Sequence, residues 1–379
     1  MINEVYIDNF KSLVGFRMKF AKFNCLIGLN GAGKSTVLQA LDFLAQLMQG
    51  DINGWLEERY WDKSELNSKL SKKQNISFEV TSSQKAAGEL KWFGEFNRQK
   101  LYCSSETITL NGKTLLKVAD GRFAINGDIS QPIIFSYQGS ILSVLKEKEL
   151  SDGLLALKTE LSSMKSMDLL SPHLLRQKAR ESGMDVGLGG EKLSAFLHEL
   201  SSEKRVMLEQ SLKSYYPSFS TYQTSAMKSG WKKLSVHEMF DGQPVETEAR
   251  HMNDGMLRIM AIVAQTLAEH SFLLFDEIED GINPELIEQL VDQLVDAPQQ
   301  MLVTTHSPMI LNYLEDEVAI AGVQLIYKNK QGLTRAKAFF KIPSMAEKLR
   351  LMGPGEVFVD TELKTLVNEL IENPEGSAS

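Results

Sequence analysis

A glycine-rich run ending in lysine and serine carries the strongest chemical signal in the sequence. Residues 28–35 read Gly-Leu-Asn-Gly-Ala-Gly-Lys-Ser and fit the pattern Gly-x-x-x-x-Gly-Lys-Ser. Glycines let backbone N–H groups close around a polyphosphate, the lysine adds a point charge, and the serine hydroxyl can bind Mg²⁺. The full match disfavours an unliganded glycine-rich turn. The residues predicted to bind a nucleoside triphosphate are Asn30, Gly31, Gly33, Lys34, Ser35 and Thr36.

Two carboxylates follow an apolar run in the second half of the chain. Residues 271–276 read Ser-Phe-Leu-Leu-Phe-Asp, and Glu277 comes next, which is a Walker B pattern. An aspartate at the end of a strand parallel to the phosphate-loop strand can hold Mg²⁺, and an adjacent glutamate can orient or deprotonate water. Such strand ends are common alone, so the interpretation depends on the phosphate loop upstream. We predict Ser35 and Asp276 as metal ligands and Glu277 as the catalytic carboxylate.

Two further polar stretches border apolar runs. His306 follows the apolar strand pattern 301–305, and a histidine at that end of a strand can reach a γ-phosphate or the catalytic water. Asn253, Asp254 and Gly255 precede the run 259–267, which is typical of a buried helix. Asn and Asp are ordinary helix caps, so either that role or contact with a second nucleotide's γ-phosphate remains open.

The remaining patterns predict an α/β arrangement around these residues. An apolar strand (23–27) precedes the phosphate loop, and apolar residues at helical spacing follow it. Alternating runs with Asn-Gly and Asp-Gly turns predict an antiparallel lobe, and helical spacing then takes over. After His306 we expect strands at 318–321, 325–328 and 334–341, then two helices; residues 51–75 show no clear period.

Composition places the chain among globular proteins. Of its 379 residues 43% are hydrophobic, and its formal charge is −8, which argues against an overall attraction to nucleic acid. No signal pattern is present, and no apolar run reaches the roughly 20 residues of a membrane helix. We expect a cytoplasmic protein that does not contact a membrane. Cys25 and Cys103 are far apart in sequence and are expected to be buried free thiols.

The order of the motifs resembles the ABC-type ATPases, and more closely their RecF-like, SMC-like and overcoming-lysogenization-defect (OLD) branch. The matching stretches are residues 9–12 (Asn-Phe-Lys-Ser), 28–35, 253–258, 275–284 and 305–308. The resemblance implies an α/β P-loop NTPase fold, an ABC-ATPase head with an antiparallel β lobe and a helical subdomain. The expected parts of this single domain (1–379) are a P-loop core (1–50), the β lobe (76–137), the helical subdomain (140–216), a second core segment with the signature, Walker B and switch histidine (250–342), C-terminal helices (343–372) and a flexible tail (373–379).

The resemblance also implies roles for particular residues. ATP and Mg²⁺ would be the cofactors, and His306 the switch histidine. Asn253 to Gly255 would be the signature that completes the other subunit's site in an ATP-sandwiched homodimer, although the family usually has Ser first. Gln138 is the best candidate for the catalytic Q-loop glutamine, and Gln131 is the alternative.

The pathway is less defined than the chemistry. By resemblance the candidates are DNA metabolism, including repair, and anti-phage defence, with DNA or a separately encoded effector protein as partner. Neither a long coiled coil nor a nuclease-type Toprim region is evident in the sequence. The alternatives are an OLD-type ATPase subunit that regulates a partner nuclease and the nucleotide-binding subunit of a transporter.

Overall fold

The computed structural model describes residues 1–84, 88–168, 171–183 and 185–372, so the predicted flexible tail (373–379) lies outside the described residues. The strands are β1 (Ile2–Asp8), β2 (Phe16–Lys19), β3 (Phe23–Ile27), β4 (Asn75–Gln84), β5 (Gly88–Asn97), β6 (Tyr102–Leu110), β7 (Lys113–Ala119), β8 (Arg122–Ile125), β9 (Gln131–Pro132), β10 (Lys165–Met167), β11 (Phe219–Ala226), β12 (Lys232–Phe240), β13 (Gln243–Glu248), β14 (Phe272–Phe275), β15 (Gln300–Thr304), β16 (Val323–Lys328) and β17 (Thr334–Ala338).

The chain also forms α-helices. They are α1 (Lys34–Gln49), α2 (Ile52–Glu58), α3 (Asp152–Ser162), α4 (Pro172–Leu175), α5 (Leu193–Glu199), α6 (Ser202–Tyr215), α7 (Asp254–Thr266), α8 (Ile287–Asp296), α9 (Pro308–Asn312), α10 (Asp316–Gly322), α11 (Pro343–Leu349), α12 (Pro354–Val359) and α13 (Leu363–Glu372). None of the helices in the described ranges has the length and apolar character needed to cross a bilayer.

A six-stranded sheet forms the centre of the molecule, with strand order β10-β14-β15-β3-β16-β17. The first five strands are parallel, and β17 pairs antiparallel with β16. Strands β3, β14 and β15 are buried along their whole length, which explains their almost continuous apolar sequences. Because the carboxyl ends of parallel strands lie at one edge, the loops after β3, β14 and β15 converge there.

Helix α1 lies between this sheet and a larger antiparallel one. Leu26, Leu274 and Leu302 pack into the same core as α1 and the antiparallel strands. Their neighbours Cys25 and Leu273 point to the opposite face, where α7 and α8 pack. This alternation follows from the two-residue period of a strand, and it fixes α1 between two layers.

The antiparallel sheet has the order β2-β1-β4-β5-β6-β7-β8-β9. Both predicted hairpins are present: Asn111 and Asp120 have φ of 49° and 52°, and the glycine after each is also left-handed. A third, smaller sheet has the order β11-β12-β13. Cys25 and Cys103 are buried free thiols, as predicted.

Three sequence interpretations need correction or completion. Strand β10 lies inside the segment predicted to be helical and joins the parallel sheet beside β14. Residues 318–321, predicted as a strand, belong to α10, and residues 51–75, left unassigned, contain α2. Runs of three or four apolar residues are too short for their period to distinguish a strand from a helix.

Candidate functional site

The phosphate loop connects β3 to α1, and its backbone requires glycine at two positions. Gly28 has a φ of 147°, and a Cβ there would lie 2.2 Å from the carbonyl oxygen of Ile326. Gly33 has a φ of 112°, and a Cβ there would lie 2.5 Å from Thr334 Oγ1. The neighbouring strands β16 and β17 therefore press against the back of the loop. Among the other predicted loop residues, Asn30, Gly31 and Ser35 are exposed, and Thr36 is half-buried.

Lys34 is held inside the loop. Its side chain is buried, and Nζ donates a hydrogen bond to the Gly28 carbonyl at 3.0 Å. Burial lowers the pKa of Lys34, while the nearby carboxylates of Asp276 and Glu277 oppose that shift. Ser35, next to this lysine, and Asp276 border one cavity, so the phosphate loop and the Walker B carboxylates share one site.

The N-terminal motif (residues 9–12) supports the loop from outside. Ser12 Oγ lies 2.8 Å from Thr334 Oγ1, which also donates to the Ala32 carbonyl at 3.0 Å. Lys11 donates to Gln39 Oε1 on α1 at 2.9 Å, and burial lowers the pKa of Lys11 to about 8. These bonds link the start of the chain to the phosphate loop, through Thr334, and to α1.

One threonine organises the two Walker B carboxylates. Thr304 Oγ1, at the end of β15, donates to Asp276 Oδ1 at 2.5 Å and accepts from the Glu277 N–H at 2.9 Å. Glu277 has a φ of 47°, a left-handed conformation that is costly for a residue with a side chain. Burial, followed by the charges of Asp280 and Asp276, raises the pKa of Glu277. This carboxylate is therefore a stronger base than an ordinary glutamate.

His306 faces the same group. Its Nε2 lies 3.7 Å from Glu277 Oε1, and the two side chains are 39% and 34% exposed. Burial lowers the pKa of His306, and the positive charge of Lys34 adds to the shift. The imidazole is therefore mostly neutral near pH 7 and can donate or accept a hydrogen bond.

Glu279 is a residue that sequence reasoning missed. Its Oε1 accepts from Thr305 Oγ1 at 2.7 Å, from the His306 N–H at 2.8 Å and from the Ser307 N–H at 3.1 Å. These bonds fasten the loop after β15 to the loop after β14 and so position His306. The only signal in the sequence is a third acidic residue two positions after Glu277.

Asn253 and Gly255 lie at the start of α7. Asn253 Oδ1 accepts from the Met256 N–H at 2.7 Å, so the side chain acts as a helix cap. A Cβ on Gly255 would lie 2.9 Å from the carbonyl oxygen of Gly281, in the loop after β14. The helix start is thus packed against the segment that follows the Walker B carboxylates.

The structure does not bring Gln138 to the phosphate loop. Gln138 Oε1 accepts from the Asn53 N–H at 3.0 Å, and a Cβ on Gly139 would touch the Leu47 carbonyl. Leu47 lies near the far end of α1, about 20 Å from Lys34 at 1.5 Å per residue. The alternative, Gln131, is exposed on β9 at the outer edge of the antiparallel sheet. Neither glutamine lies at the phosphate loop, because residues 139–140 pair with Leu101, Cys103 and Leu47 and Gln131 lies on the edge strand.

Asp168 lies at the end of a strand of the parallel sheet, beside the Walker B strand. It directly follows β10, whose Met167 pairs with Phe275 and accepts from the Asp276 N–H at 3.3 Å. A cavity of about 630 Å³ is bordered by Ser35, Asp168 and Asp276 together. Asp168 and Asp276 therefore occupy equivalent positions on neighbouring parallel strands.

Five parallel strands with a phosphate loop on β3, α1 between two sheets and an antiparallel lobe make this an ABC-type P-loop ATPase head. The sequence comparisons agree. The chain belongs to the family described as "AAA domain, putative AbiEii toxin, Type IV TA system", whose profile matches residues 112–312. Residues 1–111 match a second profile, described as "AAA ATPase domain".

Solved structures and curated proteins place it near RecF and SMC heads. An Smc head bound to the C-winged helix domain of ScpA is 13% identical, with a TM-score of 0.57 over 89% of this chain and 97% of that one. An Smc head with an extended coiled coil, bound to the C-terminal domain of ScpA derived from Pyrococcus furiosus, is 12% identical, with a TM-score of 0.57 over 92% and 99% of the two chains.

The DNA replication and repair protein RecF from two strains of Porphyromonas gingivalis is 48% identical over 46 residues. That match spans 12% of this chain and 13% of RecF. The protein is thus a RecF/SMC-like P-loop ATPase.

Proposed function

We propose that the chain is a Mg²⁺-dependent ATPase that acts as a pair of copies. Each copy has one nucleotide site, and the other copy completes it. The observation that carries this proposal is that the phosphate loop, the Walker B carboxylates and His306 follow three neighbouring parallel strands, where Ser35 and Asp276 border one cavity. A buried lysine in a glycine cradle binds phosphate, and the two carboxylates supply the remaining groups needed for hydrolysis.

The residues present fit both ATP and Mg²⁺. Gly28 and Gly33 let the loop lie against β16 and β17 with positive φ angles, and Lys34 adds the positive charge. Ser35 Oγ and the Asp276 carboxylate would hold Mg²⁺, because this ion prefers hard oxygen ligands. Bound Mg²⁺ would neutralise phosphate charge. Asp168, on the same cavity, would bind water around that position.

Glu277 and His306 act on the attacking water and the γ-phosphate. The raised pKa of Glu277 makes it a stronger base than an ordinary glutamate, which favours removal of a proton from the attacking water. The neutral His306 imidazole contacts the γ-phosphate, and Glu279 holds its backbone in place.

The second copy supplies Asn253, Asp254 and Gly255 at the start of α7. A helix start attracts anions through its free N–H groups and dipole. In this structure α7 packs against its own loop after β14, so we assign its outward-facing start to the nucleotide of the partner. The fold shared with Smc heads supports a head-to-head pair.

ATP turnover would serve DNA metabolism or anti-phage defence, with DNA or a separately encoded effector protein as partner. The short match to RecF supports the first, and the toxin–antitoxin family description supports the second. DNA that stimulates turnover at low salt, with the effect lost as salt rises, would indicate direct contact with phosphates. Turnover that DNA does not change would point to the effector protein instead.

The central experiment measures phosphate release and light scattering on three forms of the chain. The parent should hydrolyse ATP with Mg²⁺, and Lys34→Ala should lose nucleotide binding. Glu277→Gln should keep ATP affinity, lose turnover and accumulate as an ATP-bound dimer, because bound ATP links the subunits and is not consumed. Unchanged turnover in Lys34→Ala would overturn the site assignment.

A mixing experiment tests the shared site. Asn253→Asp keeps a helix-capping oxygen but places a negative charge before the partner's phosphate, and it avoids the clash that a side chain at Gly255 would make. Lys34→Ala and Asn253→Asp chains should each be inactive alone. Mixed, they rebuild one intact site in each heterodimer and should recover part of the turnover. No recovery, together with a monomeric Glu277→Gln protein in saturating ATP, would contradict the shared site.

A further inference from the structure

The start of α7 carries a charge that conflicts with its proposed ligand. Asp254 is the first residue of this helix, directly after Asn253. A carboxylate there stabilises the helix, because it complements the positive end of the dipole. The same carboxylate repels an approaching phosphate. A helix start with this sequence therefore binds an anion well only if a nearby cation neutralises Asp254.

Arg176 provides that cation from outside the motif. Its Nη2 donates to Asp254 Oδ1 and to the Met252 carbonyl oxygen at 2.7 Å. The two acceptors flank Asn253 on either side, so one nitrogen holds the cap in place. Arg176 directly follows α4, which packs against α7. The Arg176 and Asp254 side chains are 25% and 46% exposed, so the pair lies at the surface.

A second arginine lies one turn further along the helix. Arg258 is 5% exposed, and its buried Nε has no hydrogen-bond partner within the described part of the chain. The carboxylates of Asp280, Asp254, Asp168 and Glu277 all act on its charge. Acidic groups therefore outnumber the two arginines around this helix start, and removing Arg176 would leave the negative charge of Asp254 without its ion-pair partner.

We infer that Arg176 is a positioning residue of the shared ATP site: its pairing with Asp254 neutralises the start of α7, so that this surface accepts the γ-phosphate bound to the partner subunit. The inference rests on the proposed shared site. It predicts that Arg176 affects joining of the two copies and leaves nucleotide binding to the isolated chain unchanged.

The test uses full-length Glu277→Gln protein and follows ATP-dependent dimerisation by light scattering. Adding Arg176→Ala should raise the protein concentration at half-dimerisation roughly tenfold at low salt, as one uncompensated charge near a phosphate would do. Adding Asp254→Asn as well should restore dimerisation to within about twofold, because the excess charge is gone. The ATP affinity of the monomeric chain should be the same in all variants.

A matched control removes an arginine ion pair far from α7. Arg17→Ala removes a surface ion pair with Glu4 on the antiparallel sheet and should not alter dimerisation. An Arg176→Ala protein that dimerises like its parent overturns the inference alone. A double variant that stays as weak as Arg176→Ala shows that the bond to Met252 matters and the charge does not, which also overturns it. A Glu277→Gln protein that remains monomeric with ATP overturns the shared site and the inference together.

Discussion

Glu106 in the antiparallel sheet and Glu277 at the edge of the parallel sheet carry the same carboxyl group in opposite surroundings. Glu106 is fully buried and accepts hydrogen bonds from Ser140 Oγ at 2.6 Å, the Ile141 N–H at 2.8 Å and Trp92 Nε1 at 3.1 Å. The Glu277 side chain is 34% exposed, and the basic group beside it is His306, at 3.7 Å.

Both carboxyl groups have raised pKa values, for different reasons. Burial raises the pKa of Glu106 to about 7, although its three donors favour the ionised form. The pKa of Glu277 is raised by burial and also by neighbouring carboxylates. A carboxyl group whose oxygens all accept hydrogen bonds from the protein stabilises the fold. A carboxyl group that faces solvent among like charges remains available to a substrate. A raised pKa alone does not separate these two cases.

The largest expected effect distinguishes the two glutamates by turnover. Glu277→Gln should lower kcat about a thousandfold with ATP affinity unchanged, because it removes the base and keeps the phosphate cradle. Glu106→Gln should leave kcat within about twofold of the parent for the folded protein. Steady-state phosphate release measures kcat for both variants. A comparable loss of kcat in Glu106→Gln would contradict the assignment of a structural role to Glu106 and a catalytic role to Glu277.

The second prediction concerns stability, for which Glu106 should matter more than Glu277. Glu106→Ala should lower the free energy of unfolding by about 3 kcal/mol, because it leaves three buried donors without a partner and opens a cavity. Glu277→Ala should change it by less than about 1 kcal/mol, since a partly exposed side chain loses little packing. Urea denaturation followed by circular dichroism measures both values.

Glu106 also predicts a pH dependence with a definite sign. Its pKa in the folded protein, about 7, lies above the unfolded value of about 4.3. Its contribution to stability is therefore complete below about pH 4.3 and is lost as the pH rises through about 7. Glu106→Gln should remove this part of the pH dependence. A variant with the parent's profile would show that another group is responsible.

The fourth prediction compares two residues near opposite ends of α1. Asp168→Asn should lower turnover roughly tenfold, on the scale of losing a group that orients water around a metal. Gln138→Ala, at the far end, should leave turnover unchanged. Single-turnover hydrolysis at saturating ATP and Mg²⁺ measures both, and a larger loss in Gln138→Ala would restore the glutamine to the site.

The smallest effect concerns the pH profile of the site. Asp280→Asn removes a negative charge that raises the pKa of Glu277. The ionised base should then persist to lower pH, so the acidic limb of kcat/KM should move to lower pH. A profile measured from pH 5 to 8 tests this shift. Glu248→Gln, a surface carboxylate on β13, serves as the control and should leave the limb in place.

Several parts of the site were predictable because their information is local. The phosphate loop lies within eight consecutive residues, and its glycines are required by positive φ angles and by contacts of the backbone itself. The Asp276–Glu277 pair and His306 each follow a short apolar run, and the phosphate loop upstream made a buried strand of a parallel sheet the best interpretation of both runs. The two hairpins follow from Asn-Gly and Asp-Gly pairs, which adopt left-handed conformations easily.

Tertiary structure decided the rest. Strand β10 has three residues and no measurable period, and its place beside β14 depends on pairing between segments far apart in the chain. That pairing puts Asp168 next to Asp276 and removes Gln138 from the site. The contact of Arg176 with Asp254 likewise depends on how α4 packs against α7. Local patterns specify which groups can do chemistry. Which strands and helices become neighbours depends on the burial of surfaces that are far apart in the chain, and no short stretch of sequence contains that information.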